Sequence, residues 1–131
     1  EITQAAGFVQ ALPDGLESAV DQGGTNLSGG QRQRLSIARA VMARPSVYLF
    51  DDSFSALDLA TEARLRAALE PVSRQAAVIV VAQRVSSVER ADRILVLEDG
   101  RPVGLGPHRE LLTDCPTYAE IVDSQRREAV A

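Results

Sequence analysis

The sequence has 131 residues, enough for one hydrophobic core and too few for several domains. Hydrophobic residues at 45% and charged residues at 24% exclude a disordered chain, and a net charge of −4 argues against a nucleic-acid-binding module, which would be basic. All 14 basic residues are arginine, so a phosphate loop of the form G-x-x-x-x-G-K-[ST] cannot lie within this stretch.

Residues 1–12 read as the end of a helix, with Ile2, Ala5, Phe8, Val9 and Leu12 on one apolar face. A start at Glu1, without methionine and inside a helical pattern, gives the expectation of a portion of a longer chain. Pro13-Asp14-Gly15 is a turn, and residues 16–26 read as irregular, made pliable by Gly23-Gly24. Next comes Leu27-Ser28-Gly29-Gly30-Gln31, in which Ser28 is a good N-cap and the two glycines permit close backbone approach. Residues 31–43 have helix-forming composition, with Leu35, Ala38, Val41 and Met42 at helical spacing, and Arg44-Pro45 ends the run. A hydroxyl, open backbone N–H groups and the positive end of a helix dipole converge there, which suits a phosphate. Taken alone, Ser-Gly-Gly before a helix is only a cap and a turn.

Val47-Tyr48-Leu49-Phe50 is a continuous apolar run, predicting a strand buried on both faces of a parallel sheet, and it ends in Asp51-Asp52. Carboxylates at the C-terminal end of such a strand lie where open α/β sheets bind ligands. Ser55-Ala56-Leu57-Asp58 leads into a helix predicted over 59–70, capped by Asp58 and stopped by Pro71. A second buried strand is predicted over 76–82, followed by Gln83. A third spans 93–98, and Asp99-Gly100 supplies a hairpin turn into 102–105. Residues 106–112 open a short helix, where His108 reads as a surface or capping residue rather than a catalyst. Cys115, the one cysteine, permits no disulfide within the chain and fits a reducing compartment. The last helix is predicted over 118–127, apolar at Tyr118, Ile121 and Val122, with Arg126-Arg127-Glu128 as a solvated end. No apolar run reaches membrane-spanning length.

Leu27-Ser28-Gly29-Gly30-Gln31, with the helix behind it, resembles the signature motif of ATP-binding cassette (ABC) proteins. Leu49-Phe50-Asp51-Asp52 resembles their Walker B motif, Ser55-Ala56-Leu57-Asp58 their D-loop, and Gln83-Arg84-Val85-Ser86-Ser87 the place of their switch histidine. Phe8-Val9-Gln10-Ala11-Leu12-Pro13-Asp14-Gly15 looks like exporters more than importers. The resemblance covers nearly the whole chain. It implies an α/β fold with a P-loop NTPase-like (RecA-like) core: a mostly parallel sheet flanked by helices, plus part of an α-helical subdomain. The Walker A portion is absent. The expected division places the helical subdomain and signature helix in 1–45, and the RecA-like core and C-terminal helices in 46–131.

The resemblance further implies ATP and Mg²⁺ as cofactors, with Asp51 holding the metal through water. It implies a head-to-tail pair in which Leu27, Ser28, Gly29, Gly30 and Gln31 complete the partner's ATP site. Ser55, Ala56, Leu57 and Asp58 would then cross the dimer interface. The partners would be a second nucleotide-binding domain and a transmembrane domain of the same chain, at the cytoplasmic face of the cell membrane, with no nucleic acid. Two positions depart from the family pattern. Asp52 stands where a catalytic glutamate is usual, and Gln83 where the switch histidine is usual. The shorter carboxylate is drawn back by about 1.5 Å, and a neutral amide can donate to phosphate but cannot become cationic. The expectation is one subunit of a heterodimeric exporter, with an intact signature and a degenerate site of its own. The alternatives are a homodimeric exporter using Asp52 and Gln83 catalytically, and a soluble ABC ATPase that uses dimerisation mechanically.

Overall fold

The computed structural model describes residues 2–128. Glu1, at the head of the helix predicted over 1–12, and residues 129–131 lie outside the described residues. The contacts group into two compact units, one up to Val81 and one from Ala82 onward. In the first of these Ile37 shares a core with Tyr48 and Phe50.

In the first unit the N-terminal helix is short: α1 runs only from Ala6–Gln10. Gly7 costs helix propensity and no side-chain cap holds the first turn, so the apolar periodicity of 2–12 carries little more than one turn. Two 3₁₀ turns, Gly15–Glu17 and Gln22–Gly24, fill the irregular stretch. Helix α2 (Gly29–Met42) is followed by β1 (Val47–Asp51), α3 (Leu59–Ser73) and β2 (Ala77–Val81). β1 and β2 pair in parallel from Val47↔Ala77 to Asp51↔Val81, with α3 as the crossover that parallel strands require.

Pro71 does not stop α3, which continues to Ser73. So near the end its missing N–H forfeits a single rung of the ladder. Ser73 Oγ donates back to the Leu69 carbonyl at 3.0 Å, supplying a donor where the helix runs out of amides. The core lies on one face of the strand pair, where Tyr48 and Phe50 pack with Ile37, Leu57, Leu69 and the fully buried Leu65. The Tyr48 and Phe50 rings stack at 5.9 Å. Arg66 lies 5.0 Å over the Phe54 ring and is paired with the buried Glu62 at 3.8 Å; burial lowers the Arg66 guanidinium pKa, and Glu62 opposes that.

The expectation that both strands are buried on both faces is corrected. Val47 and Leu49 on β1, and Ile79 and Val81 on β2, are all more than half exposed. The cluster around Ile37 and Leu65 covers the Tyr48–Phe50 side.

In the second unit, β3 (Ile94–Glu98) and β4 (Arg101–Gly106) form an antiparallel hairpin. Asp99 and Gly100 both have positive φ, at 49° and 74°, as the predicted tight turn requires. Helices α4 (His108–Asp114) and α5 (Pro116–Glu128) follow, and Leu111, Cys115, Tyr118 and Val122 close over Ile94 and Val96. His108 is not the cap of α4, a place taken by Pro107. It is half-buried, with Nδ1 2.7 Å from the Tyr118 hydroxyl and the two rings edge to face. Burial raises the Tyr118 phenol pKa above its usual value, and Glu89 adds to it.

Candidate functional site

The N-terminus of α2 is built by a capping box. Ser28 has extended backbone, its Oγ accepts the Gln31 N–H at 3.2 Å, and Gln31 Oε1 accepts the Ser28 N–H at 2.8 Å. The first rung of the helix is Arg32 N–H to the Ser28 carbonyl, so the Gly29 and Gly30 amides stand outside the ladder. Having accepted from Gln31, the Ser28 hydroxyl keeps its own proton to donate outward. Leu27 is buried and anchors the turn from below. Arg32 Nη1 donates to the Gly24 and Leu27 carbonyls at 3.2 and 3.0 Å, holding the loop against the helix.

The glycines serve a second purpose. A Cβ on Gly30 would stand 3.1 Å from the Ala56 carbonyl oxygen and 3.3 Å from Leu57 Cδ2. The start of α2 therefore rests directly on the 55–58 loop. Gln33 fastens the same loop: its Nε2 donates to the Asp52 carbonyl at 3.3 Å and to Ser55 Oγ at 3.2 Å, while its Oε1 accepts the Ala56 N–H at 3.1 Å. Gln33 escaped the sequence reading because its partners lie 19 to 23 residues away. Gln33→Leu should lower stability by about 0.5–1.5 kcal/mol, the net worth of a hydrogen bond whose exposed Ala56 N–H can turn to water. Gln33→Glu keeps the acceptor and should cost less, as denaturant melts of the two variants would show.

Asp51 and Asp52 stand exposed at the end of β1. Asp52 has φ of 47°, a left-handed conformation that Asp tolerates better than most residues. Its backbone is held on both sides: its N–H donates to the Val81 carbonyl at 2.9 Å, and its carbonyl accepts from Ser55 Oγ at 3.0 Å. The carboxylate takes part in neither bond. Gly29, Gln33 and Ser36 from α2, together with Leu49, Asp51 and Asp52, line one open cavity of about 680 Å³. Among the described residues no group of three His, Cys, Asp or Glu could hold a metal.

Asp58 caps α3, its Oδ1 accepting the Thr61 N–H at 2.9 Å. The Thr61 hydroxyl first, and then its N–H, lower the Asp58 pKa below the usual carboxylate value. Of the 55–58 loop, Leu57 is buried while Ser55, Ala56 and Asp58 are exposed.

In the second unit, Gln83 exposes its side chain, and its backbone carbonyl accepts Gln125 Nε2 at 2.7 Å. Gln125 Oε1 accepts the Val85 N–H at 2.9 Å. The sequence reading missed Gln125, although a signal existed: it follows Tyr118 and Val122 at helical spacing, a polar amide on the buried stripe of α5.

A family profile described as "ABC transporter" matches residues 3–55. The chain is 55% identical, over 98% of its length, to an ABC transporter ATP-binding protein of Mycobacterium tuberculosis (strain ATCC 25618 / H37Rv) that is itself uncharacterised; it covers 22% of that protein. It is 45% identical over 87% of its length to an ATP-dependent lipid A-core flippase of Thiobacillus denitrificans, covering 20% of it. Its fold is similar to that of a bacterial Atm1-family ABC exporter with ATP bound, with a TM-score of 0.91 and 37% identity; the match covers 95% of this chain and 22% of that one. The chain thus spans about a fifth of the length of these three proteins.

Proposed function

The chain belongs to the ABC transporter family, as part of an exporter-type nucleotide-binding domain, and on that premise we propose that it serves one subunit of a heterodimeric exporter. ATP-driven pairing of two such domains, at the cytoplasmic face of the membrane, is coupled to transport through transmembrane domains. Ser28, Gly29, Gly30 and Gln31 complete the hydrolysing site, whose ATP is held by the partner domain. Asp51, Asp52 and Gln83 belong to a second site that holds ATP and cuts it slowly.

The observation that carries this reading is an intact capping box at Ser28 in the same chain as a shortened acid and a neutral switch residue. The Ser28 hydroxyl and the first amides of α2 supply preorganised donors for phosphate charge, which developing negative charge rewards most. Bound ATP with Mg²⁺ supplies the phosphoanhydride to be cleaved. Asp51 would hold the metal, through water, since Mg²⁺ keeps much of its hydration shell. Asp52 is one methylene short of the length that would place a base on the attacking water, and a misplacement of ~1 Å can cost around a hundredfold. Gln83 donates a hydrogen bond and carries no charge.

The test is turnover by the full-length gene product purified alone and with its co-expressed partner. Alone it should hydrolyse ATP at about one-hundredth of the paired rate or less. Comparable turnover by the single product would establish the homodimeric alternative, with Asp52 as base and Gln83 as γ-phosphate sensor.

A further inference from the structure

We infer that Gln125 is a positioning residue for the switch loop, acting from the last helix on the backbone that aims Gln83; this rests on the reading of Gln83 as a phosphate contact. After β2 the chain leaves regular structure, and only at Val85 does a 3₁₀ turn begin. The Gln83 carbonyl and the Val85 N–H, groups that a neighbouring strand would pair in a sheet, are both taken by one side-chain amide. A glutamine amide has the donor and acceptor of a peptide group, so Gln125 pairs this loop as a neighbouring strand would. The two bonds, at 2.7 and 2.9 Å, bracket Arg84 and fix the peptide planes on either side of it.

The bracket is rigid because its base is rigid. Gln125 sits on the face of α5 that carries Tyr118 and Val122, each 3% exposed, and Val85 and Val88 pack against the same cluster. The Gln83 side chain is exposed, so the part of this residue that the described contacts hold is its backbone, the point from which the amide leaves. With Gln125 in place the backbone that carries the amide is already in one position. Without it, that position must be bought from binding energy.

The experiment measures release of radiolabelled ATP from the slow site of the assembled full-length pair, with thermal melts run in parallel. Gln125→Ala should speed release by about tenfold, roughly the worth of one oriented hydrogen bond. Gln125→Glu, which keeps the volume and the acceptor for Val85 but turns an oxygen toward the Gln83 carbonyl, should change release in the same direction. In a Gln83→Ala background, Gln125→Ala should add less than about twofold, because residues that act through one group do not add. Release unchanged by Gln125→Ala where Gln83→Ala does change it would overturn the inference. So would a tenfold effect that persists without the Gln83 side chain, which would mark Gln125 as purely structural. If Gln83→Ala itself left release unchanged, the assignment of Gln83 to phosphate would be the one to fall.

Discussion

Arginine at position 28 should remove most of the ATP turnover of the assembled full-length pair, a loss of about a hundredfold or more, whereas Asp52→Asn should lower it by less than about threefold, no preorganised donor being lost there. Ser28→Arg deletes an outward hydroxyl donor and sets a cation at the positive end of a helix, where the dipole opposes it and a phosphate should sit. It also breaks the capping box, since nothing then accepts the Gln31 N–H. Loss of an N-cap costs only about 0.5–2 kcal/mol, so the variant should still fold and the damage should appear in rate far more than in melting temperature. Asp52→Asn is a clean counterpart. The turn at residue 52 is held through its N–H and carbonyl, which asparagine retains, and asparagine accepts a φ near 47° as readily as aspartate. What changes is the carboxylate charge alone. ATPase rates of the two variants, each paired with an unaltered partner, check the ordering. A greater loss from Asp52→Asn would reverse the assignment of the two sites.

What the sequence made legible was local. The cap at Ser28 needs only Gln31 three residues on, the cap at Asp58 only Thr61, and the hairpin at Asp99-Gly100 only its own backbone preferences; each formed where expected. The apolar strand Val47–Asp51 was equally plain, because four consecutive large apolar residues have few other uses. The failures came where a second element decides the outcome. Whether Leu49 and Ile79 are buried depends on what covers the second face of the pair, and no periodicity in 47–51 or 77–81 reports that. Pro71 reads as a stop in isolation, yet the packing of Leu65 and Leu69 carries α3 past it. Gln33 and Gln125 are polar residues in helices, unremarkable by type. Their importance comes from bonds to backbone 19 to 42 residues away, which only the fold brings within reach.

Gly30→Val should disable the same assembly by a different route, from inside. Helix propensity alone would favour the change, since glycine within a helix costs up to about 1 kcal/mol. The packing opposes it: a Cβ would stand 3.1 Å from the Ala56 carbonyl and 3.3 Å from Leu57 Cδ2, and valine adds two further methyl groups at that point. A backbone carbonyl cannot swing aside as a side-chain tip can, so the 55–58 loop must move as a body. Asp52 is tied to that loop through Ser55 and Gln33, and a shift there disturbs the strand-end acids as well as the cap. Overpacking of this kind costs about 1–3 kcal/mol, partly offset by the propensity gain, so the melting temperature should fall only modestly. Turnover should fall by around a hundredfold if the loop is displaced by ~1 Å. Gly29→Ala is the control for stability, because its Cβ would meet only Ala56 Cβ at 3.5 Å, an ordinary contact. Thermal melts of both variants and ATPase rates of Gly30→Val, in the full-length pair, make the comparison. Turnover within a few-fold of the parent would show that the signature helix and the loop beneath it move independently.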